Sequence, residues 1–122
     1  MSALPKIGES EWYVMKALWD ESPLSGNDIV RSVSLKTDWT SSTILTMIRR
    51  LVKKKAIGIR QEKIMMYYPL LEESEAVRTE TDQFVNRVYQ GSVNLLVKNF
   101  IEAGTLSEKE RNALKKLLDE MK

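Results

Sequence analysis

Neither cysteine nor histidine occurs among the 122 residues. Without cysteine there is no disulfide framework and no thiolate. Without histidine the usual zinc and haem ligands and the imidazole base are missing too, so no metal, no cofactor and no catalytic residue is expected. Carboxylate or lysine chemistry is all that remains, and no motif assembles a nucleophile, a base and an oxyanion site for it, so an enzyme is not expected. Glycine (five) and proline (three) are scarce, which excludes a fibrous or disordered chain and leans towards helix. No apolar run approaches the roughly 18 residues that cross a bilayer. The N-terminal stretch MSALPKIGESEW lacks the basic start and apolar core of a signal peptide, so a cytoplasmic protein with no membrane insertion is expected.

What is present is globular in character: 43% hydrophobic and 30% charged residues, in a length that suits one domain or a small domain with an appendage. The charge is unevenly placed. Residues 1–71 carry 11 Lys plus Arg against 7 Asp plus Glu, and residues 72–122 carry 8 against 10, which gives +4 and −2 and sums to the overall +2. From Lys36 to Arg60 seven basic residues accompany one acid, Asp38, a local field that favours a polyanion. A solvated helix face has the same composition, so the surrounding fold must decide.

Helical periodicity opens the chain. A first helix is expected from Glu9 to about Glu21, with Gly8 as N-cap, Glu11 reaching back to its backbone, and Trp12, Met15, Leu18 and Trp19 on one side. Ser25 with Asp28 resembles a capping box opening a second helix, whose inner face is Ile29, Val30 and Val33 and which ends before Lys36. Thr40 is the expected N-cap of a third helix with the apolar set Ile44, Met47, Ile48, Leu51 and Val52. Its other side presents Ser42, Thr43, Thr46, Arg49, Arg50 and Lys53. Ile57–Gln61 and Met65–Leu70, on either side of Glu62-Lys63, form a hairpin, with Pro69 confining its strand to an edge. Trp12, Trp19 and Trp39 are packing residues on this reading, and the Met65-Met66 pair belongs to the hairpin. The paired acids Glu72-Glu73 and Glu108 with Glu110 are helix-start charges.

Three helices and a hairpin in this order make a winged helix-turn-helix, in which the third helix enters the DNA major groove and the hairpin flanks it. Arg49, Arg50, Lys53, Lys54 and Lys55 can neutralise phosphates, and a well-placed Arg can contact guanine O6 and N7. Thr43 and Thr46 can meet base edges or a thymine methyl. Capping by the threonines, and favourable charge of the lysines near a helix C-terminus, are compatible with that role.

From Glu72 the pattern is purely helical. Val77, Thr81, Phe84, Val85 and Val88 mark a helix ended by Gly91. Val93, Leu96, Val97, Phe100 and Ile101 mark a second that starts near Ser92 and stops at Gly104. Leu114, Leu117, Leu118 and Met121 mark a third, opened by a Ser107/Glu110 capping box. About 50 residues in three helices bury too little surface to stand alone. Their stripes either fold back on the N-terminal domain or pack on a second chain. A two-fold dimer is expected, because two winged helices at fixed spacing read a palindrome. The fold expected is mainly α: a winged helix-turn-helix DNA-binding domain over residues 1–71, then a three-helix dimerisation domain over residues 72–122. The dimerisation residues are Phe84, Val88, Leu96, Val97, Phe100, Ile101, Leu114, Leu117 and Leu118.

The segments SEWYVMKALW, DWTSSTILTMIRRLVKKK, MMYYPL and FVNRVYQGSVNLLVKNFIE together resemble the penicillinase and methicillin-resistance repressors, the BlaI/MecI group, with the copper-responsive CopY repressors as relatives. The resemblance spans nearly the whole chain. It implies a homodimeric repressor of double-stranded operator DNA with TACA and TGTA half-sites, recognition positions at Thr43, Thr46 and Arg50, and wing support near Lys63. It also implies derepression by proteolysis at an Asn-Phe bond, here Asn99-Phe100, linked to a membrane sensor protease. Three departures stand out: Ser42 and Leu45 replace residues that are often basic in the family, Lys55 replaces the usual glycine, and the cysteine motif of the copper branch is missing. The rival readings are a winged-helix protein-interaction module and a repressor of the same family that answers a copper-type signal or a small ligand.

Overall fold

The computed structural model describes residues 4–104 and 106–120. The described elements run α1 (Glu11–Asp20), β1 (Leu24–Ser25), α2 (Gly26–Ser34), α3 (Ser41–Lys53), β2 (Ile57–Gln61), β3 (Met65–Pro69), α4 (Glu73–Tyr89), α5 (Val93–Glu102) and α6 (Glu108–Glu120). They divide into two compact units, one ending at Ala76 and the other beginning at Val77.

In the first unit α1 starts at Glu11 rather than Glu9, and Ser10, not Gly8, holds the cap position without a side-chain bond. The Glu11 carboxylate does reach back, accepting the Gly8 N–H at 2.8 Å. Ser25 caps α2 by accepting the Asp28 N–H at 3.1 Å. The reciprocal half of the box is not made, because Asp28 is one methylene shorter than the Glu that such a box needs and pairs instead with Arg31 at 3.2 Å. Thr40 caps α3, its hydroxyl accepting the Thr43 N–H at 3.2 Å.

The apolar stripes of α1, α2 and α3 converge on one core in which Val14, Met15, Leu18, Ile29, Val33, Ile44, Ile48, Leu51 and Ile57 are all but inaccessible to water. Ile44, Met47, Ile48 and Leu51 together contribute an upper estimate of about 6–12 kcal/mol of burial. That dwarfs the ~1 kcal/mol of the Thr40 cap, so tertiary packing holds α3 in place and the cap only sets where it begins.

The sheet is antiparallel with order β1-β3-β2. Strand β1, too short to carry a sequence period, pairs Leu24 with Tyr67 and Ser25 with Met66. Strand β3 is therefore central, contrary to the edge position expected from Pro69. Proline is tolerated because it sits opposite Ile57 of β2, past the reach of β1. Gly58 lies opposite Tyr68, whose ring covers it closely enough that an added Cβ would stand 2.5 Å from the ring carbon Cζ.

The start of α4 belongs to this first unit, beyond the Leu71/Glu72 boundary that composition suggests. Ala76 joins the core, the Trp19 indole N–H donates to the Leu71 carbonyl at 3.0 Å, and Lys16 pairs with Glu73 at 2.6 Å. Lys16 also lies about 6 Å from the centroids of Trp12 and Trp19. The tryptophans thus act in packing, Trp39 standing edge-on to Tyr13.

In the second unit Gln90 and Gly91 turn the chain out of α4 with φ of 54° and 83°. Ser92 caps α5. Ser107 and Glu110 form a complete capping box, with bonds of 3.0 and 3.1 Å. The Ser107 backbone N–H foremost, and the Ser107 hydroxyl after it, hold the Glu110 carboxyl below its ordinary pKa. Val85 is the one large apolar side chain buried among the described residues of this unit, while Phe84, Val88, Val93, Leu95, Phe100 and Leu117 are exposed. Leu96, Val97, Ile101 and Leu114 are half-buried. Met121 and the side chain of Leu118 lie outside the described residues. No helix among the described residues is long and apolar enough to cross a membrane.

Candidate nucleic-acid interface

At 100° per residue, Ser42, Thr43, Thr46, Arg49, Arg50 and Lys53 share about a third of the circumference of α3, opposite the buried stripe. Ser42, Thr43, Arg49, Arg50 and Lys53 are exposed and Thr46 is half-buried. From Ser42 to Lys53 the face runs about 16 Å along the axis, enough to lie in a major groove about 12 Å wide. Among the described residues no acid pairs with Arg49, Arg50 or Lys53.

The hydroxyls are already partly committed. Thr43 accepts from the Thr40 hydroxyl at 3.0 Å. Thr46 donates to the Ser42 carbonyl at 2.9 Å and accepts from the Arg49 guanidinium at 3.4 Å. With its hydroxyl turned to its own helix, Thr46 offers a ligand chiefly its methyl group, which suits contact with a thymine methyl.

The lysine run behind this face splits by role. Lys53 is exposed and unpaired among the described residues. Lys54 departs from the expected phosphate contact: its ammonium pairs with the Glu11 carboxylate and donates to the Lys6 carbonyl at 3.0 Å. Glu11 is only 3% exposed, and a buried carboxylate demands a partner. Lys55 has φ of 67°, the left-handed conformation in which a Cβ is strained. The position needs this sharp turn because the next residue, Ala56, is buried and bonded to both Leu51 and Leu70.

The wing is formed by β2, β3 and the turn at residues 62–64. Lys63 stands exposed in that turn. The neighbouring Arg60 is tied to Glu62 at 2.7 Å, so Lys63 carries the uncompensated charge there.

In the second unit, Asn99 and Phe100 lie inside α5 and are exposed. The Asn99 amide donates to the Tyr89 hydroxyl at 3.0 Å, and Tyr89 packs against Phe84 with ring centroids 5.8 Å apart. Sequence reasoning missed the Glu11 partner of Lys54. Its only local trace was the charge of Glu11 in the first turn of α1, already assigned to Gly8.

The model of the penicillinase repressor family matches residues 7–120. The penicillinase repressor of Bacillus licheniformis is 36% identical over 100% of this chain and 96% of its own length. The methicillin resistance regulatory protein MecI of Staphylococcus aureus is 38% identical over 93% of this chain and 94% of its own. Among solved structures, monomeric BlaI of Bacillus licheniformis in complex with the blaP half-operator superposes with a TM-score of 0.55 at 34% identity, covering 62% of this chain and 93% of that one. The isolated DNA-binding domain of the repressor BlaI gives 0.54 at the same identity. With its winged-helix unit, its cationic third helix and this near full-length match, the chain belongs to the penicillinase repressor family of DNA-binding transcriptional repressors.

Proposed function

We propose that the chain represses transcription in the cytoplasm by occupying, as a homodimer, a palindromic operator with TACA and TGTA half-sites. Helix α3 enters the major groove with Ser42, Thr43, Thr46, Arg49, Arg50 and Lys53, and Lys63 of the wing meets the adjacent backbone. Lys54 drops out of the contact set. The observation that carries the reading is the uncompensated cationic and hydroxylated face of α3 on a helix whose other side is locked into the core. The relative solved on a half-operator supports the docking mode.

Dimerisation falls to the second unit. Phe84, Val88, Phe100 and Leu117, exposed in the single chain, form the partner-facing surface together with Leu96, Val97, Ile101 and Leu114. Release follows cleavage of Asn99-Phe100 by a protease under a membrane sensor. The bond lies within α5, so a cut divides the helix that carries Val97 from the stretch that carries Phe100 and Ile101, and the paired surface is lost.

The test is fluorescence anisotropy on a palindromic and a scrambled duplex between 50 and 200 mM salt. Each phosphate neutralised is expected to add about −0.9 to the slope of log K against log salt. Arg50→Ala is expected to cost about 1–3 kcal/mol on the palindrome alone if Arg50 reads a base. A flat salt response, or equal affinity for both duplexes, sinks the proposal. Cleavage is checked by incubation with the cognate sensor, expecting two fragments that separate between Asn99 and Phe100.

A further inference from the structure

Lys54 lies in a run of three lysines beside the DNA face, yet its ammonium is held by Glu11, a carboxylate on α1 whose side chain is 5% exposed. The same ammonium holds the Lys6 carbonyl, and Glu11 also holds the Gly8 N–H. One residue on, the chain turns through Lys55 and is pinned again at Ala56, by bonds of 2.9 Å to Leu51 and Leu70. The C-terminal end of α3 is therefore fixed from two sides, by α1 through Lys54 and by the sheet through Ala56.

We propose that Glu11 and Lys54 are positioning residues for operator recognition: the buried carboxylate keeps the Lys54 ammonium off the duplex and sets the angle at which α3 presents its reading face. This rests on the repressor reading above. Swinging Lys54 to a phosphate would strand the Glu11 charge in the interior with a single backbone donor, a strongly unfavourable exchange for a contact that bulk salt screens. With its apolar side locked into the core, α3 can shift only slightly, but it is about 20 Å long, so a tilt of about 3° at its pinned end already moves Thr43 by about 1 Å, enough to spoil the geometry of a hydrogen bond. By consuming one cation of the basic run, Glu11 also lowers affinity for DNA of any sequence alike, so operator preference is left to the way α3 is presented.

The experiment measures affinity for the palindromic and scrambled duplexes against salt for the full chain and for E11Q, K54R and the E11Q/K54M double variant, with a thermal melt of each. The double variant removes both charges at nearly constant shape, so it folds without a stranded ion. It is expected to keep the wild-type salt slope and scrambled-duplex affinity while losing operator affinity several-fold. E11Q frees the ammonium and is expected to steepen the slope by about 0.9 and to strengthen binding to the scrambled duplex. K54R keeps a cation on Glu11 and is expected to retain operator preference. A slope flattened by about 0.9 in the double variant, with both duplexes weakened alike, makes Lys54 a phosphate ligand and overturns the positioning role. Unchanged operator binding in the double variant overturns it as well. Wild-type protein that binds both duplexes equally overturns the repressor reading, and the positioning role with it.

Discussion

Lys55 offers a test in which stability and DNA affinity move in opposite directions. Its φ of 67° places a side chain where a Cβ crowds the following carbonyl, at a cost of about 1–2 kcal/mol. Glycine removes that cost but loses about 0.5–1 kcal/mol more backbone entropy on folding. Lys55→Gly is thus expected to stabilise the first unit by up to about 1.5 kcal/mol, which raises its melting temperature by up to about 12 °C for a unit of this size. Lys55→Ala is the control: it keeps the strained Cβ and is expected to bring no gain. Circular dichroism melts together with urea titration, in which the midpoint rises at constant slope, measure the effect. Both variants remove the same exposed charge, so both are expected to lose equal affinity for scrambled DNA and to flatten the salt slope by the same amount, at most about 0.9. If Lys55→Gly melts no higher than Lys55→Ala, backbone strain at this turn is not what the glycine relieves and the reasoning fails.

Leu51 is wholly buried in the common core of α1, α2 and α3, so Leu51→Ala is expected to cost about 2–5 kcal/mol in urea unfolding and to weaken operator binding only through the unfolded fraction. Phe100→Ala is expected to shift the chain from dimer to monomer in analytical ultracentrifugation and to weaken binding to the full palindrome more than to a half-site, while a dimer of wild-type strength refutes the assigned surface. Because the Ser107 backbone N–H, and after it the Ser107 hydroxyl, hold the Glu110 carboxyl below its ordinary pKa, the ionised form favours the folded start of α6. That contribution is complete above the ordinary glutamate pKa of about 4.3 and is lost as pH falls through the lowered value. The protection factors of the Ser107 and Glu110 amides, with exchange corrected for its slower intrinsic rate at lower pH, are expected to fall on acidification in the native protein, whereas Glu110→Gln, uncharged throughout, is expected to show no such step.

Elements governed by neighbours in sequence were legible before any coordinates. The Thr40 cap, the Ser107/Glu110 box, the Ser92 start of α5 and the apolar stripe of α3 all follow from contacts within one or two helical turns. The exposed face of α3 followed from the same period, since assigning one side of a helix to the core assigns the other to solvent. The resemblance to the repressor family drew on those same local patterns, and the family match agrees with it.

What escaped the sequence lay between segments distant along the chain. The strand at Leu24–Ser25 exists only because Met66 and Tyr67 lie beside it, and the centrality of β3 follows from that pairing. Lys54 looked like one of three equivalent lysines, because composition assigns charge to a neighbourhood and not to a partner. Glu11, 43 residues away, separates it from Lys53 and Lys55. The strain at Lys55 was likewise visible only as a departure from a family pattern until the backbone showed a left-handed turn into the buried Ala56. Periodicity and capping are short-range and can be read along a string, whereas the partner of a buried charge is chosen by whichever donor the packed core brings within reach.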